Sequence, residues 1–167
     1  MDAVVVYESM FGNTRDIAHA IAEGLATRMS VRTFEVGGAP HVFDGPGLLV
    51  VGGPTHAFSM SRSTTRDSAQ DETDDPLISR SGIREWLDAL ETSRDQPCAT
   101  FDTKVPKPRL PGSAAAAAAK RLRKLKYRII MGPETFWVEG TTGPLLEGEQ
   151  GRARAWGEQL AEQLIPA

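Results

Sequence analysis

The segment Glu8-Ser9-Met10-Phe11-Gly12-Asn13-Thr14 has the make-up of an anion site. Ser9, Asn13 and Thr14 offer side-chain donors, and Gly12 lets a ligand come close to the backbone. A helix starting directly after such a loop adds its free N–H groups and the positive end of its dipole. The loop lacks the Lys-Ser or Lys-Thr pair that grips a nucleoside triphosphate, and its one glycine does not match the spaced glycines of a dinucleotide fingerprint. A monophosphate is the anion that fits. Two further loops can border the same site, one running from Pro54 to Arg66 and one from Thr103 to Ser113.

The elements around these loops must hold them at one edge. Val4-Val5-Val6 is a short β-branched run of the kind buried on both faces of a sheet, and it stops at the polar turn. Ile17, Ala18, Ile21, Ala22 and Leu25 then recur at the three- and four-residue spacing of an amphipathic helix. Val31 to Val36 is a plausible second strand. Leu48 to Val51 is a third, ending in Gly52-Gly53-Pro54. The stretch Thr55 to Arg80 shows no apolar periodicity and is dense in Ser, Thr, Asp and Arg, so it is expected to be a long surface loop, an insertion around 56–80. Ile83, Trp86, Leu87 and Leu90 mark another helix, with Ser81 as a candidate cap. Cys98 to Asp102 gives a fourth strand. Lys104 to Gly112 holds three prolines and cannot be regular, after which Ser113 can cap a helix through Ala114–Ala119 to Leu125. Arg128 to Met131 is the fifth strand, Phe136 to Val138 a short addition after Pro133, and Ala153, Trp156, Leu160 and Leu164 line a last helix.

Strands alternating with helices select a parallel sheet wrapped on both faces, because parallel neighbours need right-handed crossovers. The segment from Gly37 to Gly47 is too short and too rich in Gly and Pro to promise a helix. The expected architecture is one α/β domain over residues 1–167, a three-layer sandwich. In such sheets the ligand crevice lies outside the carboxyl ends of the strands. The three polar loops all fall there.

Composition narrows the function. The chain has 167 residues and a net charge of −3, which leaves no cationic excess to displace phosphate counterions and argues against nucleic acid. No apolar run reaches the roughly 18 residues of a membrane span. The amino terminus carries no basic leader, so the expected location is the cytoplasm. Cys98 stands alone in an apolar setting and is expected to be a small buried hydrophobe. Asp67, Asp71, Glu72, Asp74 and Asp75 form an acidic block, whereas Lys104, Lys107, Arg109, Lys120, Arg121, Arg123, Lys124, Lys126 and Arg128 make the later segment basic. Solvated faces are the first reading of both. Docking by complementary charge is the second.

The string Ser9-Met10-Phe11-Gly12-Asn13-Thr14 resembles the FMN-phosphate loop of the flavodoxins, which runs Ser/Thr, two variable residues, then Gly-Asn-Thr. Gly53-Pro54-Thr55 resembles that family's second flavin loop, and the loop from Thr103 falls where the family closes over the other ring face. The resemblance covers nearly the whole chain and implies a flavodoxin-like fold with sheet order 2-1-3-4-5. It implies that Ser9, Met10, Phe11, Gly12, Asn13 and Thr14 hold the phosphate, with Phe11 acting through its backbone N–H. Pro54, Thr55, His56, Ala57 and Phe58 would border the isoalloxazine, Phe58 being the stacking candidate or else a side chain buried under the long loop. Asp102, Thr103, Lys104 and Val105 would lie near the pyrimidine end, with Gly112 and Ser113 as further donors. His56 would either titrate beside the ring or be an ordinary hydrogen-bonded loop histidine.

Two departures from the family pattern bear on function. The segment Lys104-Val105-Pro106-Lys107-Pro108 has no aromatic, so Val105 or Pro106 would cover the outer ring face, or a substrate would. The segment His56-Ala57-Phe58-Ser59-Met60-Ser61 has no glycine, which makes the positive φ used to hydrogen-bond the flavin N5 costlier. The leading expectation is an FMN-binding electron carrier that meets a redox partner protein, such as a flavodoxin or ferredoxin reductase or an acceptor oxidoreductase. Asp67, Asp71 and Glu72 would repel the anionic reduced ring and steer a basic partner. The alternative is an FMN-dependent NAD(P)H:quinone reductase or a protoporphyrinogen-oxidase-like enzyme. A phosphate-accepting regulator of similar sheet order would need an aspartate after strand three, where this chain has Gly52-Gly53.

Overall fold

A computed structural model of the chain describes residues 1–43, 47–106 and 111–166. Five strands form one parallel sheet: β1 (Asp2–Tyr7), β2 (Ser30–Glu35), β3 (Leu48–Pro54), β4 (Pro97–Lys104) and β5 (Arg128–Trp137). Their order is β2-β1-β3-β4-β5. Among the described residues the helices are α1 (Asn13–Leu25), α2 (Ser63–Gln70), α3 (Ile83–Ala89), α4 (Ala114–Lys124) and α5 (Glu149–Leu164), and a 3-10 turn, Val36–Gly38, follows β2.

Because side chains alternate across a strand, the central strands feed two cores at once. Ala3, Val5, Leu48, Val50, Ala99 and Phe101 face one core with Ile17 and Ile21 of α1 and Trp156 and Leu160 of α5. Val4, Val6, Leu49, Val51 and Cys98 face the other with Ile83 and Leu87 of α3 and Ala118 and Leu122 of α4. The alanine run matters here: Ala114, Ala115, Ala118 and Ala119 are all buried, so the helix lies close on the sheet. On the opposite face Gly24 and Gly157 bring the α1 and α5 backbones together, since a Cβ on either would strike the other helix. Cys98 is fully buried, and burial pushes its thiol up to about 12, which keeps it protonated and inert.

Several boundaries differ from the expectations above for definite reasons. Residues 55–80 are not all loop, because α2 occupies Ser63–Gln70. Only Arg66 and Ala69 of that helix are buried, so it carries no apolar stripe for periodicity to find. The expected short strand at Phe136 is the end of β5 itself, whose pairing with β4 shifts register at Ala99 and Phe101. Pro133, having no N–H to donate, sits at that irregularity on an edge strand, where it is tolerated. Gly82, not Ser81, precedes α3, so the residue at the helix start has no side chain of its own to cap it. Ser113 does cap α4, its Oγ accepting from the Ala116 N–H at 3.0 Å. No described helix is long and apolar enough to cross a membrane.

Phe101 anchors the end of β4 that reaches the functional edge. It is fully buried, and its ring centroid lies 6.4 Å from Phe136 and 6.5 Å from Trp156, both nearly edge-on. Phe101→Ala is expected to cost about 3–5 kcal/mol in urea unfolding. A loss under about 1 kcal/mol would mean that this cluster does not hold the edge in place.

Candidate functional site

β1 ends at Tyr7, and the Glu8 N–H still donates to the Gly52 carbonyl at 2.9 Å, so the sheet carries the chain to the lip of the crevice. The next residue, Ser9, is fully buried and organises the turn. Its Oγ accepts from the Gly12 N–H at 3.1 Å and the Arg15 N–H at 3.3 Å. Gly12 has φ of 105°, the left-handed region where an L side chain is strained, and α1 begins directly after it. A second segment braces the loop from outside. Ser79 Oγ accepts from the Ser9 N–H at 2.9 Å, the Ser79 N–H donates to the Ser9 carbonyl at 2.8 Å, and the Ile78 N–H donates to the Met10 carbonyl at 3.2 Å.

The helix starts at this edge are treated differently. At α4 the Ala114 N–H donates to Thr55 Oγ1, the Ala115 N–H to Asp102 Oδ2 and the Ala116 N–H to Ser113 Oγ, each at 3.0 Å. At α3 the Ile83 N–H donates to Glu8 Oε1 at 2.7 Å. At α1, among the described residues, no protein group accepts the N–H of Phe11, Asn13 or Thr14. That helix end is open to an outside anion.

The open end faces a cleft with about 500 Å³ of free space, counting its mouth. Ser9, Met10, Phe11, Asn13 and Thr14 form one wall, Pro54, Thr55 and His56 a second, and Thr103, Lys104 and Val105 a third. Val138 and Thr141 add a fourth that sequence reasoning missed. The signal was the turn Gly140-Thr141-Thr142-Gly143 directly after β5. There Val138 bridges to Leu145, and Gly143 lies flush on the Asn13 amide. No carboxylate stands among the described lining residues, and the Lys104 ammonium donates to the Gly112 carbonyl at 2.7 Å. The first and third walls touch directly: Thr14 Oγ1 and Thr103 Oγ1 are 2.7 Å apart and buried.

Other candidates stand elsewhere. Asp102 is fully buried behind the cleft, accepting from Thr55 Oγ1 and the Ala115 N–H, so it is a strut of the third loop and not part of its lining. Ser113 is occupied as the α4 cap, and Gly112 packs beneath the Phe58 backbone. Gly12 shapes the first loop without lining the cleft. Lys107, Pro108 and Arg109 lie outside the described residues.

The second loop is a tight turn. His56 and Ser59 exchange both backbone hydrogen bonds, at 2.8 and 3.0 Å, across Ala57 with φ of 46° and Phe58 with φ of 72°. Positive φ at both central residues is a type I′ turn, which usually carries Asn-Gly. Glycine is absent and positive φ is present all the same. The turn leaves Phe58 half exposed, outside the cleft lining and not buried under the loop. His56 lines the cleft, and its Nδ1 lies 3.2 Å from Thr65 Oγ1 of α2. Burial, and then the Arg66 guanidinium, hold its pKa below the ordinary value, so it is neutral at pH 7.

Behind the first loop sits Glu8, 1% exposed. Burial raises its carboxyl to about 6, against the opposing pull of the Ser61 hydroxyl, the Ile83 N–H and Arg66. Oε2 itself has no hydrogen bond of good geometry. Arg66 is tied to Ser61 Oγ at 2.8 Å and to Glu85 at 2.7 Å, closing a polar network under the second loop. A carboxyl with a raised folded pKa binds its proton more tightly in the native state, so it stabilises the fold below the unfolded value of 4.5 and loses that benefit as pH rises through 6. Glu8→Gln keeps an oxygen for the Ile83 N–H and cannot ionise. It is therefore expected to gain roughly 2 kcal/mol relative to the parent between pH 4.5 and 7.5 in parallel urea titrations. A difference that stays flat with pH would contradict the buried charge.

No protein-family model and no curated protein sequence matches the chain. Solved structures do. The oxidised flavodoxin 2 from Bacillus cereus superposes with a TM-score of 0.69 at 19% identity, covering 98% of this chain and 99% of that one. A Streptococcus pneumonia TIGR4 flavodoxin gives 0.68 at 15% identity over 98% and 99%. The Flv1 flavodiiron core from Synechocystis sp. PCC6803 gives 0.63 at 17% identity, matching 98% of this chain but only 36% of its own length. The fold is flavodoxin-like.

Proposed function

We propose that this chain is a single-domain FMN-binding electron carrier of the cytoplasm, working with a redox partner protein. The observation that supports it most is the contrast between helix starts: α3 and α4 give N–H groups to the protein's own oxygens, whereas α1 leaves Asn13 and Thr14 for a ligand. A dianionic ester suits that end, because the dipole, the free amides and the Ser9 and Thr14 hydroxyls all favour negative charge. Lys104 adds a cationic side chain to a lining that holds no carboxylate among its described residues.

When bound, the flavin ring supplies the electron-transfer chemistry. The chain's own residues hold it. Ser9, Phe11, Asn13 and Thr14 grip the phosphate, Pro54, Thr55 and His56 border one side of the ring, and Lys104 and Val105 border the other. The neutral imidazole of His56 places no charge beside the ring at pH 7. Phe58, half exposed two residues beyond His56, is the aromatic of the second loop that would meet a bound ring. Asp67, Asp71 and Glu72, all exposed on and after α2, give a partner an acidic face beside the same loop.

Fluorescence titration with FMN and riboflavin tests the anchor. Two charge-assisted bonds at about 1.5–3 kcal/mol each imply that FMN binds on the order of a hundredfold or more tighter than riboflavin. Equal affinities would remove the phosphate from the reading, and no binding of either would end it. If NADPH alone bleaches the FMN form without oxygen, the chain is a reductase of the same fold and not a carrier.

A further inference from the structure

The Thr14–Thr103 pair carries an inference that rests on the flavin reading. A hydroxyl has one proton to give and two lone pairs to receive. At 2.7 Å the two oxygens share one hydrogen bond, and either can be its donor. The pair as a whole therefore has one proton left over. Thr14 is the second residue of α1, beside the unpaired Asn13 amide, and is 2% exposed. Thr103 is 5% exposed and held from both sides: its carbonyl accepts from the Thr55 N–H at 2.9 Å, and its backbone pairs with Phe136 of β5. Thr14 can give its proton to an anion only if Thr103 gives its own to Thr14.

We propose that Thr103 is a positioning residue for the phosphate: it donates to Thr14 Oγ1, so that the Thr14 hydroxyl proton points at the anion held by the α1 start. An anion at that helix end selects this direction of the chain, and a donor already accepting a hydrogen bond is the stronger for it. Thr103 thereby acts on the phosphate end of the cleft, although sequence placed it with the ring. It also links β4 to the first loop.

The test is the ratio of FMN to riboflavin affinity, because riboflavin has the same ring and ribityl chain without the phosphate. Thr103→Val keeps the shape and removes the donor, and it is expected to lower that ratio about two- to fivefold, the loss of the cooperative strengthening and orientation of the Thr14 bond. Thr103→Ser should restore it. The double variant T14V/T103V replaces both hydroxyls by apolar isosteres, leaves no orphaned donor, and should match T14V alone in the same ratio. If Thr103→Val weakens both flavins equally, the residue serves the ring or the cleft's shape, and the inference is overturned. An unchanged ratio with unchanged affinities overturns it too. A parent protein that binds neither flavin overturns the functional reading itself, a result distinct from a parent that binds FMN while Thr103→Val leaves the ratio intact.

Discussion

An α-helix cannot satisfy its own first amides, and at this sheet edge the protein's own side chains take those of α4 and the first of α3, while the Asn13 and Thr14 amides of α1 beside the cleft keep no protein acceptor among the described residues. Asp102, Thr55 and Ser113 close α4, and Glu8 takes the first amide of α3. Those oxygens are buried or half-buried side chains set by neighbouring strands, so the closure is part of the fold. The α1 start is shaped with equal care and yet left unfilled. Ser9 takes the Gly12 and Arg15 amides, Gly12 supplies the left-handed step, and the Asn13 and Thr14 amides between them have no protein acceptor among the described residues.

The segment from His56 to Gly82 is what stiffens that point. Ser79 and Ile78 pair with the backbone of Ser9 and Met10, Thr65 reaches His56, and Arg66 ties Ser61 to Glu85 above Glu8. One stretch thus holds two loops that are far apart in sequence. It does so with polar contacts, which need specific geometry, where an apolar patch would allow sliding. The cost is visible at Glu8, whose carboxyl is kept in a site that favours its protonated form.

A second cost is visible at the Ala57-Phe58 turn. Two L residues in the left-handed region cost roughly 1–2 kcal/mol each relative to the right-handed form. The reciprocal bonds between His56 and Ser59 hold them there, and Gly112 allows the third loop to come up against the Phe58 backbone. The turn leaves a large aromatic, Phe58, half in water two residues beyond the cleft-lining His56.

Legibility in the sequence followed the range of the forces involved. Val4-Val5-Val6, the Ile17-to-Leu25 stripe, the alanine run after Ser113 and the Gly12-Asn13-Thr14 turn are local patterns, and each stands in the structure where its pattern put it, because strand burial, helix periodicity and capping act over a few residues. The helix α2 was invisible, since its neighbours are polar side chains whose partners lie elsewhere in the chain. The same holds for the cleft. Residues alone indicated an anion loop and two companion loops, but that Asp102 turns inward to hold α4, that Thr103 meets Thr14 and that Val138 and Thr141 close a fourth side depend on distances between segments tens of residues apart. Composition and spacing determined the strands and the helices that carry an apolar stripe, and they singled out the three polar loops at one edge. Which hydroxyl faces which, and which helix end stays open, was decided by packing, because a hydrogen bond depends on a few tenths of an ångström that no local pattern encodes.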